Sequence, residues 1–255
     1  MASRKWRLFI CLITICGLTA CAAGDLALRK ERATASRELG EVYMSQESYT
    51  RALREFLKAE QIYAKDPFLQ NDLGLAYMAK KQYDKAISHF KYALELNPDY
   101  APARNNLGAA YMENEDWDAA IECFEAVKDD LLYATPHFPL TNLGFIAYHK
   151  GNYEQAVHYY KEALDLMPGF PKALHGLGQV YLDTSRPDKA VEVLEKAVDK
   201  APGQTRIHLD LGKAYRDIHE YNKAYKTFKK AAAMGKDTRL GEEAERLAEE
   251  VWRFE

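Results

Sequence analysis

Seven histidines, four cysteines and thirty-eight carboxylates give this chain of 255 residues the raw material for metal binding, nucleophilic attack and proton transfer. Their spacing assembles none of these. His89, His137, His149, His158, His175, His208 and His219 are scattered, with no His-Glu-x-x-His pair on one helical face and no Cys at metal-ligand distance in sequence. No Gly-x-Ser-x-Gly elbow and no Gly-rich phosphate loop occurs. Gly176-Leu177-Gly178 lacks the third glycine and the preceding strand that a dinucleotide site needs. The acids fall in loops and on expected outer faces, where solvation accounts for them. The sequence therefore reads as a non-enzyme with no metal and no cofactor. A net charge of −3 without a basic stripe argues against a nucleic-acid partner. Nothing points to a small-molecule substrate.

One cysteine is placed for chemistry. Arg4, Lys5 and Arg7 precede an apolar run from Leu8 to Ala20, too short to span a bilayer as a helix. A basic start, a short apolar core and small residues at its end are the build of a secretory signal over residues 1–20. The run ends in Leu18-Thr19-Ala20-Cys21. This looks like the bacterial lipoprotein box, in which cleavage precedes the Cys and its thiol takes a lipid. The resemblance implies lipidation of Cys21 and membrane attachment through the N-terminus. Ala22 follows, where Asp would favour retention in the inner membrane, so the resemblance implies the outer membrane, facing the periplasm. Cys11 and Cys16 leave with the signal. Cys123 then stands alone, which excludes a disulfide framework within the mature monomer.

The elements that would position a binding site announce themselves by repetition. Leu39-Gly40, Leu73-Gly74, Leu107-Gly108, Leu143-Gly144, Leu177-Gly178 and Leu211-Gly212 are spaced 34, 34, 36, 34 and 34 residues apart, five of the six with Tyr four after the Leu. Thirteen residues after each Leu comes Ala52, Ala86, Ala120, Ala156, Ala190 or Ala224, and four later a bulky Phe56, Phe90, Phe124, Tyr160, Leu194 or Phe228. Spacings of three, four and seven place these side chains on one helical face. Such self-similarity means a stacked array. The pattern resembles the tetratricopeptide repeat in every copy. The resemblance implies an all-α, right-handed superhelix of six helix hairpins, at 33–66, 67–100, 101–136, 137–170, 171–204 and 205–238. A short leader (21–32) precedes them. A capping helix (239–255) follows, with Thr238 as its N-cap and Leu240, Ala244, Leu247 and Val251 on its apolar face.

In tetratricopeptide arrays the first helix of each hairpin lines a concave groove. Carried over with the Leu as position 7, that groove is lined by Phe68, Asn71, Leu75 and Met78, then Asn105, Ala109 and Met112. It continues with Phe138, Thr141, Phe145, Tyr148 and His149, then His175, Gln179 and Leu182. An apolar centre with amide groups suits an amphipathic or extended peptide. Arg37 and Glu41 charge one end; Arg206, Lys213, Arg216 and Asp217 charge the other. Arg37 and Glu41 stand where a two-carboxylate clamp would need Lys and Asn, so that chaperone-tail partner is rejected.

The single interval of 36 contains Asp129-Asp130-Leu131-Leu132-Tyr133-Ala134-Thr135-Pro136, and Ala147 replaces the repeat's Tyr shortly after. Six repeats, a lipoprotein box, a short leader and a longer Tyr- and Pro-containing junction after the third repeat resemble the type IV pilus secretin pilotins (the Tgl, PilF and PilW type). That resemblance implies binding to secretin subunits of the outer membrane and promotion of their localisation and multimerisation. The alternative is a periplasmic scaffold for cell-wall hydrolases or synthases.

Overall fold

The computed structural model describes residues 2–130 and 133–253, with side chains from Gly24 onward. The signal segment and Cys21 therefore lie outside the described side chains, as Leu131 and Leu132 lie outside the described chain. All regular structure among the described residues is α-helical, in thirteen helices. The chain divides into two compact units, residues 1–116 and 117–255.

The first unit holds α1 (Ala2–Ser45), α2 (Tyr49–Ile62), α3 (Pro67–Ala79), α4 (Tyr83–Leu96) and α5 (Ala101–Glu113). Helices α1 and α2 form one hairpin and α3 and α4 the next, while α1, α3 and α5 pack side by side. The residues expected to form a leader continue α1 instead. Leu, Ala, Arg, Lys and Glu dominate there and outweigh the single Gly24, and Asp25 pairs with Arg29 one turn on.

The second unit holds α6 (Trp117–Lys128), α7 (His137–His149), α8 (Tyr153–Leu166), α9 (Pro171–Asp183), α10 (Pro187–Lys200), α11 (Thr205–Asp217), α12 (Tyr221–Met234) and α13 (Arg239–Trp252). Hairpins α7–α8, α9–α10 and α11–α12 follow one another, and α13 packs against both α11 and α12. The Thr238 hydroxyl accepts the Gly241 amide at 3.2 Å, capping α13, and Ala244, Leu247, Ala248 and Val251 are buried beneath it. The last hairpin is thus covered by a helix whose outer face is acidic and soluble.

The repeated Leu-Gly has a steric cause. A Cβ on Gly212 would come within 2.5 Å of the Phe228 ring, one on Gly178 within 2.6 Å of Leu194, and one on Gly144 within 2.8 Å of Tyr160. The glycine lets the two helices of a hairpin close over the bulky residue. Phe56, Phe90, Leu194 and Phe228 are accordingly fully buried, with the small Ala52, Ala86, Ala190 and Ala224 beside them; Phe124 is fully buried as well.

Every hairpin turn uses one device. The amide of the residue after the turn bonds back to the carbonyl five positions earlier: Ser48 to Tyr43, Gln82 to Tyr77, Asp116 to Tyr111, Asn152 to Ala147, Arg186 to Tyr181 and Glu220 to Tyr215, at 2.8–2.9 Å. This closure requires a left-handed residue, supplied by Glu47, Lys81, Glu115, Ser185 and His219 with φ between 54° and 64°, and by Gly151 at 75°. Only the fourth turn uses glycine.

Candidate functional site

In the first unit the groove face belongs to α1, α3 and α5. Phe68 is 48% exposed, and Leu75, Met78 and Met112 are half-buried. Phe68 meets the Tyr100 ring edge-on at 5.1 Å, and the Arg37 guanidinium lies over its face, 5.6 Å from the centroid. Asn71 and Asn105 are buried rather than displayed. The Asn71 carbonyl oxygen accepts from the Asn106 amide at 2.9 Å, and the Asn105 Oδ1 has no hydrogen-bond partner.

Arg37 and Asp72 make a similar link between α1 and α3, but a poor one. Their closest approach is 3.9 Å, too long for a hydrogen bond, and Glu41 is 3.8 Å from the Arg37 Nε. The Arg37 Nε and the Asp72 Oδ2 are both buried without a hydrogen-bond partner. Burial, and secondarily the Glu41 charge, push the Asp72 carboxyl up to about 7, against the pull of Arg37. Burial also pushes the Tyr100 hydroxyl up to about 12.

In the second unit the corresponding face belongs to α7, α9 and α11. Phe138 and Phe145 are each 38% exposed, and His149 is exposed beside them. His149 lies against the Phe145 ring at 4.2 Å and stacks with Trp117 at 6.1 Å, and Phe138 packs edge-on to Phe170 at 5.3 Å. Thr141 is buried and donates its hydroxyl to the His137 carbonyl within its own helix. The Tyr148 hydroxyl donates to Asp183 at 2.6 Å, and burial followed by this bond raises its pKa. His175 joins Asp210 at 2.7 Å; Gln179 reaches the same oxygen at 3.4 Å, and Lys213 bridges Asp210 at 3.7 Å to Glu243 at 3.0 Å. Leu182 is half-buried, and Arg216 pairs with its neighbour Asp217 at 2.9 Å.

One rule holds on both faces, and the sequence alone did not reveal it. Arg37 with Asp72, Asn71 with Asn106, and His175 with Asp210 are each 35 residues apart. Each joins position 5 of one repeat to position 6 of the next. Three residues expected to present polar groups to a partner (Asn71, His175 and, at the charged end, Arg37) thus spend them on tying adjacent first helices together. The exposed aromatics Phe68, Phe138 and Phe145 remain displayed. The constant spacing of 35 was available in the sequence, but only a groove floor already in register makes it meaningful.

The long junction lies in the second unit. Tyr133 is buried there, its amide bonded to the Asp130 carbonyl at 3.0 Å, and Pro136 stands at the start of α7. A cleft of about 580 Å³ beside it is lined by Asp130, Tyr133, Leu140, Glu162 and Leu166. Among the described residues no group of three or more His, Cys, Asp or Glu could hold a metal ion, and no helix is long and apolar enough to cross a membrane.

Models of the tetratricopeptide repeat match residues 22–67, 77–131, 137–203 and 182–248, leaving out the junction at 132–136. No curated protein sequence matches the chain. Among solved structures, PilW, described as a widely conserved type IV pilus biogenesis factor, has a similar fold. Its TM-score is 0.74 at 22% identity, over 83% of this chain and 97% of PilW. PilF of Pseudomonas aeruginosa gives 0.74 at 17% identity, over 86% of this chain and 98% of PilF. The Cut9–Hcn1 hetero-tetramer of the APC/C gives 0.76 at 18% identity, over 87% of this chain but 43% of that one. Identities this low speak for the fold alone. Repeat models covering most of the chain, and the hairpins that realise them, make this a member of the tetratricopeptide-repeat family.

Proposed function

We propose that the chain is a lipoprotein of the outer membrane, anchored through Cys21 and facing the periplasm. It binds secretin subunits and promotes their localisation and multimerisation in type IV pilus biogenesis. The observation that carries this reading is the extent of the likeness to PilW and PilF. The chain matches 97% and 98% of those two structures at a TM-score of 0.74 for each, so their arrays correspond to this one nearly end to end, whereas YrrB, matched over 97% of its own length, overlays less well at 0.53. The lipoprotein box supports the location, and the long junction after the third repeat supports the kinship. The partner is a protein segment received on the aromatic groove face of the second unit, at Phe138 and Phe145. Exposed aromatic anchors of this kind are where binding energy concentrates.

The test is a gene deletion followed by electrophoresis of unheated membrane extracts. Loss of heat-resistant secretin multimers, restored by the wild-type gene and not by a Phe138→Ala/Phe145→Ala variant, is the expected outcome. Unchanged multimers in the deletion strain would overturn the reading.

A further inference from the structure

The two ends of the array are finished differently. At the C-terminal end α13 covers the last hairpin. At the N-terminal end α1 carries a row of apolar side chains that no described residue covers: Leu28, Leu39 and Val42 are 44%, 42% and 49% exposed, and Ala35 between them is exposed as well. Spacings of seven, four and three put these four residues on one stripe of α1. The buried Ala33, Ser36 and Gly40 occupy the other side, where Gly40 meets Phe56 of α2. The stripe therefore faces away from the hairpin.

We infer that this outward stripe of α1 lies on the lipid surface of the membrane that anchors the chain. The inference rests on lipidation of Cys21. Seven residues separate Leu28 from Cys21, roughly 10 Å of helix at about 1.5 Å per residue. An acyl chain buried in the bilayer holds everything within that reach at the headgroup boundary, and the first exposed apolar side chains of the stripe begin there. Helices with one apolar and one polar face settle into this boundary, and attachment by a lipid adds to the weak affinity of a narrow stripe. Arg32 stands at one edge of the stripe, placed to meet phosphate. A second copy of the chain fits the stripe worse. Glu31 and Glu38 stand along the other edge, and antiparallel pairing centred on Ala35 would set them against each other across the two-fold. The consequence is geometric: the first repeat is laid against the bilayer by a helix rather than suspended from a flexible tether.

Nitroxide labels test this. Leu28→Cys, Leu39→Cys and Val42→Cys would each be made in a Cys123→Ser background, with Lys58→Cys on α2 as the control. Each lipidated protein would be reconstituted into vesicles of phosphatidylethanolamine and phosphatidylglycerol. The accessibility of each label to oxygen relative to a water-soluble nickel chelate should rise several-fold at positions 28, 39 and 42 on reconstitution, and stay unchanged at 58. Mass spectrometry of the same samples reports the lipid on residue 21. Labels that remain as aqueous as the control on a protein carrying its lipid would overturn the inference while leaving the lipoprotein reading intact. Labels shielded from both reagents in a dimeric protein would overturn it in favour of self-association. Absence of the lipid would bring down both readings.

Discussion

The first and fifth repeats place a tie at the same point of the register, and the two ties are chemically opposite. His175 and Asp210 meet at 2.7 Å, Gln179 donates to the same carboxylate oxygen at 3.4 Å, and Lys213 faces the other as an ion pair at 3.7 Å. Arg37 and Asp72 stand 3.9 Å apart, with one buried atom on each side left without a hydrogen bond and Glu41 crowding both. Position alone therefore does not decide whether a groove-floor acid stabilises the array. The number of hydrogen bonds offered to its ionised form decides it. The fifth repeat uses its acid as a structural rivet. The first keeps an acid that folding has made harder to ionise.

The sharpest way to break this comparison is to neutralise both acids. Asp210→Ala removes the acceptor for His175 and Gln179 and leaves Lys213 with only Glu243. Losing charge-assisted hydrogen bonds at a buried site costs about 2–4 kcal/mol. Hydrogen exchange in α9 and α11 should accelerate accordingly, with α3 unaffected. Equal protection in the variant and the wild type would show that the network contributes nothing to stability.

A control that should not distinguish the two units comes next in size. Gly74→Ala and Gly212→Ala each put a Cβ into a phenylalanine ring, Phe90 or Phe228. Overpacking of this sort costs about 1–3 kcal/mol, and the two costs should agree within about 1 kcal/mol by denaturant titration. A large disagreement would mean that the hairpins are not mechanically equivalent, and that the contrast between the ties reflects the units rather than the chemistry.

Asp72→Asn should move stability the other way. Its folded pKa, about 7, lies above the ordinary value of 3.8, so between those limits the folded state holds a proton that the unfolded state has released. The contribution of Asp72 to the stability of the first unit therefore falls as pH rises through this window and is lowest above 7. A tenfold change in proton affinity corresponds to about 1.4 kcal/mol, and partial screening by solvent reduces what the fold feels. At pH 8 the asparagine variant should accordingly be more stable than the wild type by about 1–2 kcal/mol. Burial holds the His89 imidazole of the same unit below its ordinary value, which makes stability rise with pH in both proteins, so the difference between them carries the test. Between pH 5 and 8 the advantage of the asparagine variant over the wild type should grow, as read by thermal melts across that range. A difference that stays constant or shrinks as pH rises would contradict the arrangement around Arg37 and Glu41.

What the sequence made legible follows the same division between position and chemistry. The hairpins, the Leu-Gly packing, the Thr238 cap and the site of the odd interval are all set by local spacing, and local spacing is what a sequence displays. The exposed aromatics Phe68, Phe138 and Phe145 were legible for the same reason. The fates of Asn71 and His175 were not, because each depends on a residue 35 positions away whose role is set by packing between neighbouring helices. Leu39 was misleading in the opposite sense. It carries the repeat's own signature, yet it is 42% exposed. A motif states what a residue can pack against and says nothing of whether the neighbour is there.

The smallest expected effect tests the turns, where glycine closes one turn of the second unit and none of the first. Lys81 in the first unit and Gly151 in the second close the same turn with φ of 57° and 75°. A side chain in this region costs about 1 kcal/mol relative to glycine, offset in part because glycine has more freedom to lose on folding. Gly151→Ala should therefore destabilise the second unit by about 1 kcal/mol, and Lys81→Gly should stabilise the first by a few tenths. A Cβ on Gly151 would meet nothing within 4 Å, so packing cannot explain a loss there. The signs must be opposite if backbone conformation alone sets them. If Lys81→Gly destabilises instead, then the Lys80-Lys81-Gln82 turn is held by its side chains, including the 3.1 Å bond from the Lys80 Nζ to the Thr50 hydroxyl. The first unit would then owe its turn, like its groove, to chemistry that the repeat does not specify.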